Sequence, residues 1–142
     1  MKHPIQKSLF RAAAAGAAYF GAVFAIGFVL GTLRVFIVMP AVGETAAVAI
    51  ELPVILTLSW LVCRWLIVRV VVAPELAPRL VMGGLAFGML MAAELGLSAF
   101  VFGRTFADHL AHYRTFSGLL GLAGQIAFAA FPALPLITNR RR

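Results

Sequence analysis

Long apolar runs dominate the chain, and they are continuous rather than alternating. Ala12 to Leu33 carries no charge, and after Arg34 the apolar run continues to Met39. A second run extends from Thr45 to Val72, a third from Arg79 to Phe102 and a fourth from Phe116 to Ile137. Each exceeds the ~20 residues that a helix needs to cross a ~30 Å hydrocarbon layer. A membrane β-barrel would instead show alternating segments of ~10 residues. The pattern predicts an all-α integral membrane protein, a four-helix transmembrane bundle with helices over about 12–39, 45–72, 79–102 and 116–137. The whole chain, 1–142, reads as one transmembrane domain.

Breakers and caps sharpen these bounds. Pro40 and Gly43 separate the first two runs, and Glu44 or Thr45 supplies a cap. Pro53 is expected to kink the second helix. Ala73 to Pro78 holds two prolines and reads as a tight turn, and Gly103 to Arg114 is the longest polar segment. The basic start and the apolar run after it differ from a secretory signal, whose apolar core is only about 7–15 residues long. A retained first helix is expected.

Composition agrees with the pattern. Hydrophobic residues make up 63% of the chain and charged residues 12%, against roughly half and a quarter in soluble domains. The lone cysteine, Cys63, excludes an intramolecular disulfide. The net charge of +7 points to topology rather than to nucleic acid, because the basic residues flank the apolar runs. With the N-terminus inside, the cytoplasmic side takes Lys2, Lys7, Arg11, Arg64, Arg69, Arg79, Arg140, Arg141 and Arg142, and the opposite side Arg34, Arg104 and Arg114. Nine against three places both termini in the cytoplasm. Trp60 and Trp65 fit an interfacial aromatic belt. In a bacterial host such a multi-pass bundle would sit in the inner membrane.

Candidate chemistry is sparse. Arg34, Glu51 and Glu94 fall inside apolar runs, where a charge costs about 2.5–3.5 kcal/mol on insertion scales. At 1.5 Å per residue they lie about 7–8, 9 and 12 Å below the outer ends of their helices. An interior ion-pair cluster is therefore expected, with two acids against one arginine and the excess acid protonated near neutrality. The competing reading has Arg34 snorkelling to the surface and the glutamates acting as neutral hydrogen-bonding groups. Asp108-His109-x-x-His112 places three ligand-type side chains on one helical turn, a spacing that suits zinc, or simply keeps an interfacial loop polar. Gly27-x-x-x-Gly31 and Gly84-x-x-x-Gly88 offer smooth faces for close helix packing, within one chain or between copies.

No bis-histidine pair, lysine, phosphate loop or nucleophile elbow lies in the apolar runs, so no cofactor is expected. In size and in its membrane glutamates the chain resembles the small multidrug exporters. It differs in its basic asymmetry and in having no glutamate in the first helix, so no functional residue carries over. Three functions stay open: a transport or ligand-binding module using Arg34, Glu51 and Glu94; a non-catalytic accessory or assembly subunit of a larger membrane complex; and a membrane enzyme acting on lipid or quinone. Partners are the lipid bilayer and either further copies or a larger complex.

The topology has a direct test. In a Cys63→Ala background, Gly43→Cys or His112→Cys should react with an impermeant thiol reagent added to intact cells. Reaction at Lys7→Cys but not at those sites would invert the orientation.

Overall fold

The computed structural model describes residues 2–139, and these are helical almost throughout, with no strand among them. Of the basic residues counted above, Arg140, Arg141 and Arg142 lie outside the described residues, as does the side chain of Lys2. Helix α1 spans Lys2–Leu33 and runs through a π-helical turn, Arg34–Val38, into α2, Met39–Val42. Helix α3 spans Glu44–Val70, α4 Leu76–Phe100, α5 Phe106–His112, α6 Phe116–Ala130 and α7 Leu134–Asn139. The stretches His3–Val42, Glu44–Val70 and Leu76–Phe100 are long and apolar enough to cross a membrane. They mark the chain as a membrane-embedded, all-helical protein.

The boundaries depart from the sequence reading where prolines act. Helix α1 begins ten residues early, because Pro4 sits in the first turn, where a missing N–H costs nothing. Pro40 does not end the helix. The preceding turn widens instead, and the Met39 N–H reaches back five residues to the Arg34 carbonyl. Widening relieves the clash between a proline ring and the carbonyl four residues before it. Helix α3 tolerates Pro53 in its interior. The expected fourth helix is divided: α6 stops at Ala130, and α7 resumes after a turn. Its 15 residues rise only about 22 Å.

Helix α1 packs against α3 and α4, and α6 packs against the same two helices. Helices α1 and α6 thus occupy opposite corners of the bundle. The apolar core gathers at one end, beside the α3–α4 turn. It holds Ala12, Ala15, Tyr19 and Val23 of α1, Cys63 and Leu66 of α3, Met82 and Ala86 of α4, and Phe128 of α6. The α1 residues recur at three- and four-residue intervals, one stripe of a helix.

The break at Pro132 organises this end. Proline has no N–H, so the Phe128 carbonyl four residues earlier loses its helical donor. The Tyr19 hydroxyl replaces it, donating to Phe128 O at 2.9 Å across the centre of the bundle. The Tyr19 and Phe128 rings stack with centroids 4.2 Å apart. The Pro132 carbonyl accepts from Arg79 Nη1 at 3.1 Å, and Arg79 Nε donates to the Ala73 carbonyl in the α3–α4 turn, also at 3.1 Å. Arg79, 6% exposed, therefore ties both chain breaks to α4. Gly83 completes the joint: a Cβ there would collide with the Ala129 carbonyl. The turn has its own cost, since Val71 is held at φ 58°, the left-handed region that branched residues avoid. In return the Val72 N–H bonds Ile67 O at 3.0 Å, and the Val72 side chain is buried.

Tyr19→Phe should lower the unfolding free energy in bicelles by about 1–3 kcal/mol, because it leaves a buried carbonyl without a donor. Pro132→Ala restores an N–H, so the same substitution should cost clearly less in that background. Equal losses in the two backgrounds would contradict the assignment.

Candidate functional site

The opposite end, which carries α5, is built differently. After Val23 no residue of α1, the π-helical turn or α2 is buried, and on α4 after Ala86 only Ser98 is. The polar side chains at membrane depth collect here.

Arg34 opens the π-helical turn and pairs with Glu51 of α3, Nε to Oε2 at 2.5 Å. The contact is an ion pair by proximity, but its angle is not that of an aligned hydrogen bond. The two side chains are 27% and 19% exposed within the chain. Glu94 of α4 does not join them. Its Oε1 accepts from Gln125 Nε2 of α6 at 2.6 Å. Leu52, next to Glu51, fills the space beside Gly124, next to Gln125. The two polar pairs therefore lie at a similar height along the bundle, yet each is closed on itself.

The second pair continues towards α5. The Tyr113 hydroxyl lies 3.4 Å from His109 Nε2 and 3.9 Å from Met91 Sδ, one turn before Glu94 on α4. Burial, and then the charge of Glu94, push the Tyr113 hydroxyl above its ordinary pKa. Gln125 Oε1 is buried and has no hydrogen-bond donor among the described residues. At the start of α6, Ser117 Oγ donates to Glu44 Oε1 at 3.2 Å and ties α6 to α3.

Asp108, His109 and His112 are not drawn together as a ligand set. Among the described residues no three His, Cys, Asp or Glu side chains converge on a metal position. Asp108 is the N3 residue of a capping box whose N-cap is Thr105. Its Oδ2 accepts from the Thr105 N–H and hydroxyl, and its own N–H donates to Thr105 Oγ1. The Thr105 side chain first, and then its backbone N–H, hold the Asp108 carboxyl below the ordinary carboxylate range. His109 turns its ring edge to Tyr113.

The glycine motifs are also placed elsewhere than the close helix contacts. A Cβ at Gly27 would meet only Ile55 Cδ1 at 3.8 Å, and one at Gly31 only the Arg34 side chain at 3.9 Å. Gly84 and Gly88 face open space. The tight approaches are at Gly16, whose Cβ would sit 2.7 Å from the Met82 carbonyl, and at Gly83, Gly118 and Gly124. Sequence reasoning also passed over Tyr113 and the partnering role of Gln125. The available signal was that Gln125 is the lone amide in the fourth apolar run and sits, like Glu94, at membrane depth.

Comparison with protein-family models, with curated proteins and with solved structures finds no match for this chain.

Breaking one partner of a buried ion pair leaves an uncompensated charge, whereas replacing both with apolar groups is often neutral. Arg34→Met and Glu51→Leu should each destabilise the protein in bicelles, and the double variant should recover most of the loss. Additive losses would show that the two side chains act independently.

Proposed function

We propose that the chain is a small transport or ligand-binding module that handles protons or cations at Arg34, Glu51 and Glu94. The observation that carries this reading is the placement of two polar pairs, Arg34–Glu51 and Glu94–Gln125, at similar depth in the half of the bundle without an apolar core. Ionisable groups at membrane depth mark ion and substrate pathways far more often than they serve stability. A π-helical turn at Arg34 adds to this, since such turns recur at functional sites.

The proposed topology has four crossings, with both termini in the cytoplasm. Helix α6 is the short member, packed between α3 and α4. A helix below the hydrocarbon thickness is accommodated by local thinning at modest cost. The N-terminal basic residues Lys7 and Arg11 and the α3 residues Arg64 and Arg69 fall on one side in this arrangement, as the cytoplasmic surface favours. In a bacterial host the site is the inner membrane.

A second reading, an accessory subunit of a larger membrane complex or a homo-oligomer, is favoured by one feature. The Gly84–Gly88 face of α4 has nothing within contact distance, which leaves a smooth strip for another helix.

Proteoliposomes loaded with a pH-sensitive dye test the first reading. Under an imposed potassium diffusion potential, wild-type vesicles should change internal pH faster than empty vesicles, and Glu94→Gln vesicles should match the empty ones. Wild-type vesicles indistinguishable from empty vesicles would remove proton transport from the proposal.

A further inference from the structure

We infer that Glu94 is a proton-binding site, with the bound proton donated to Gln125 Oε1 and exchanged with the membrane face carrying α5 through Tyr113 and His109. This rests on the proposed reading of Glu94 and names its ligand and its route. The first observation is an imbalance. Gln125 Nε2 donates to Glu94 Oε1 at 2.6 Å, which fixes the amide with its oxygen buried and without a donor. A carboxylate has no hydrogen to offer that oxygen, but a carboxylic acid has one. Protonation of Glu94 thus supplies the missing donor and removes a charge from the membrane interior in the same step.

The second observation is the row of groups on the other side of the carboxyl. The Tyr113 hydroxyl reaches Met91, one turn before Glu94 on α4, and lies 3.4 Å from His109 Nε2. His109 stands on α5, beside exposed Phe106 and Leu110. An imidazole can take up a proton on one ring nitrogen and pass it on, which suits it to a relay at such a boundary. The transfer balances. The His109 imidazolium gives its Nε2 proton to the Tyr113 oxygen, the Tyr113 hydroxyl hydrogen passes to the Glu94 carboxylate, and neutral imidazole, intact hydroxyl and carboxylic acid remain. Small closing movements complete the contact between Tyr113 and Glu94.

Among the described residues, few other ionisable groups surround Glu94. Helix α6 carries no ionisable residue. From α5 and its end, His109, His112 and Tyr113 bear on Glu94, while Asp108 is held by Thr105. On the α1 side Arg34 is occupied by Glu51.

Infrared difference spectroscopy on the protein in phosphatidylcholine nanodiscs, with deuterium oxide as the probe, tests both parts. At neutral pH the wild type should show a protonated-carboxyl band that is missing from Glu94→Gln. Absence of that band from the wild type overturns the site. On a jump into deuterium oxide the band should shift, and Tyr113→Phe should slow the shift roughly 100-fold, the usual loss when a positioned proton carrier is removed. His109→Asn, at the α5 surface, should slow it as well and serves as the second variant. Exchange at the wild-type rate in both variants overturns the route. The outcomes separate from the transport assay: a protonated, Tyr113-dependent Glu94 without proton flux keeps this site and removes transport, and flux that needs Glu94 but not Tyr113 keeps transport and removes the route.

Discussion

A carbonyl without a donor is the constraint on which the rest of this bundle depends. In a hydrocarbon layer water cannot rescue it, so every break in a helix must be answered by protein. Pro132 creates the break, and residues from two other helices answer it. Tyr19 reaches Phe128 from α1, and Arg79 reaches Pro132 from α4. Because Arg79 also holds Ala73, the α3–α4 turn is fixed by the same side chain. Four helices are thereby brought to register at one end without any long-range ion pair there among the described residues. The apolar core of Ala12, Ala15, Met82, Ala86 and Cys63 then closes around the stacked Tyr19 and Phe128 rings.

The other end follows from the first. With register fixed at the core, the α5 end does not need apolar packing to hold the fold, and it carries polar groups that would be costly elsewhere. Arg34 and Glu51 offset each other's charge, and Gln125 gives Glu94 a hydrogen-bond donor. Leu52 against Gly124 sets the spacing between them. Such a division, a locked end and a polar end, is compatible with the proposed proton or cation exchange, because groups that exchange ions must change partners while the scaffold stays put.

Much of this was legible in the sequence, and the reasons differ by feature. Run lengths revealed the long helices, because crossing a hydrocarbon layer demands a minimum number of apolar residues. Depth arithmetic placed Arg34, Glu51 and Glu94 at comparable levels, because helix rise is constant. Rotation around each axis was not legible: a shared depth does not tell which faces meet, so Glu94 turned out to meet Gln125 rather than Arg34. Rotation also decides which glycines meet a neighbour within the chain. Gly27, Gly31, Gly84 and Gly88 have the right spacing, but within the chain the tightest approaches are at Gly16, Gly83, Gly118 and Gly124. Arg79 was read only as a topological charge, because its carbonyl partners exist only once the helices break. The capping box of Thr105 and Asp108 was not legible, because Asp serves caps and metals alike.

The central claim is that the carbonyl orphaned by Pro132 is satisfied by Tyr19 within the bilayer. A carbon-13 label at the Phe128 carbonyl reports this directly, through its infrared stretching frequency in lipid nanodiscs. The account predicts a hydrogen-bonded frequency in the wild type and a shift to that of a free carbonyl when the Tyr19 hydroxyl is removed. A frequency that is the same with and without that hydroxyl would contradict it.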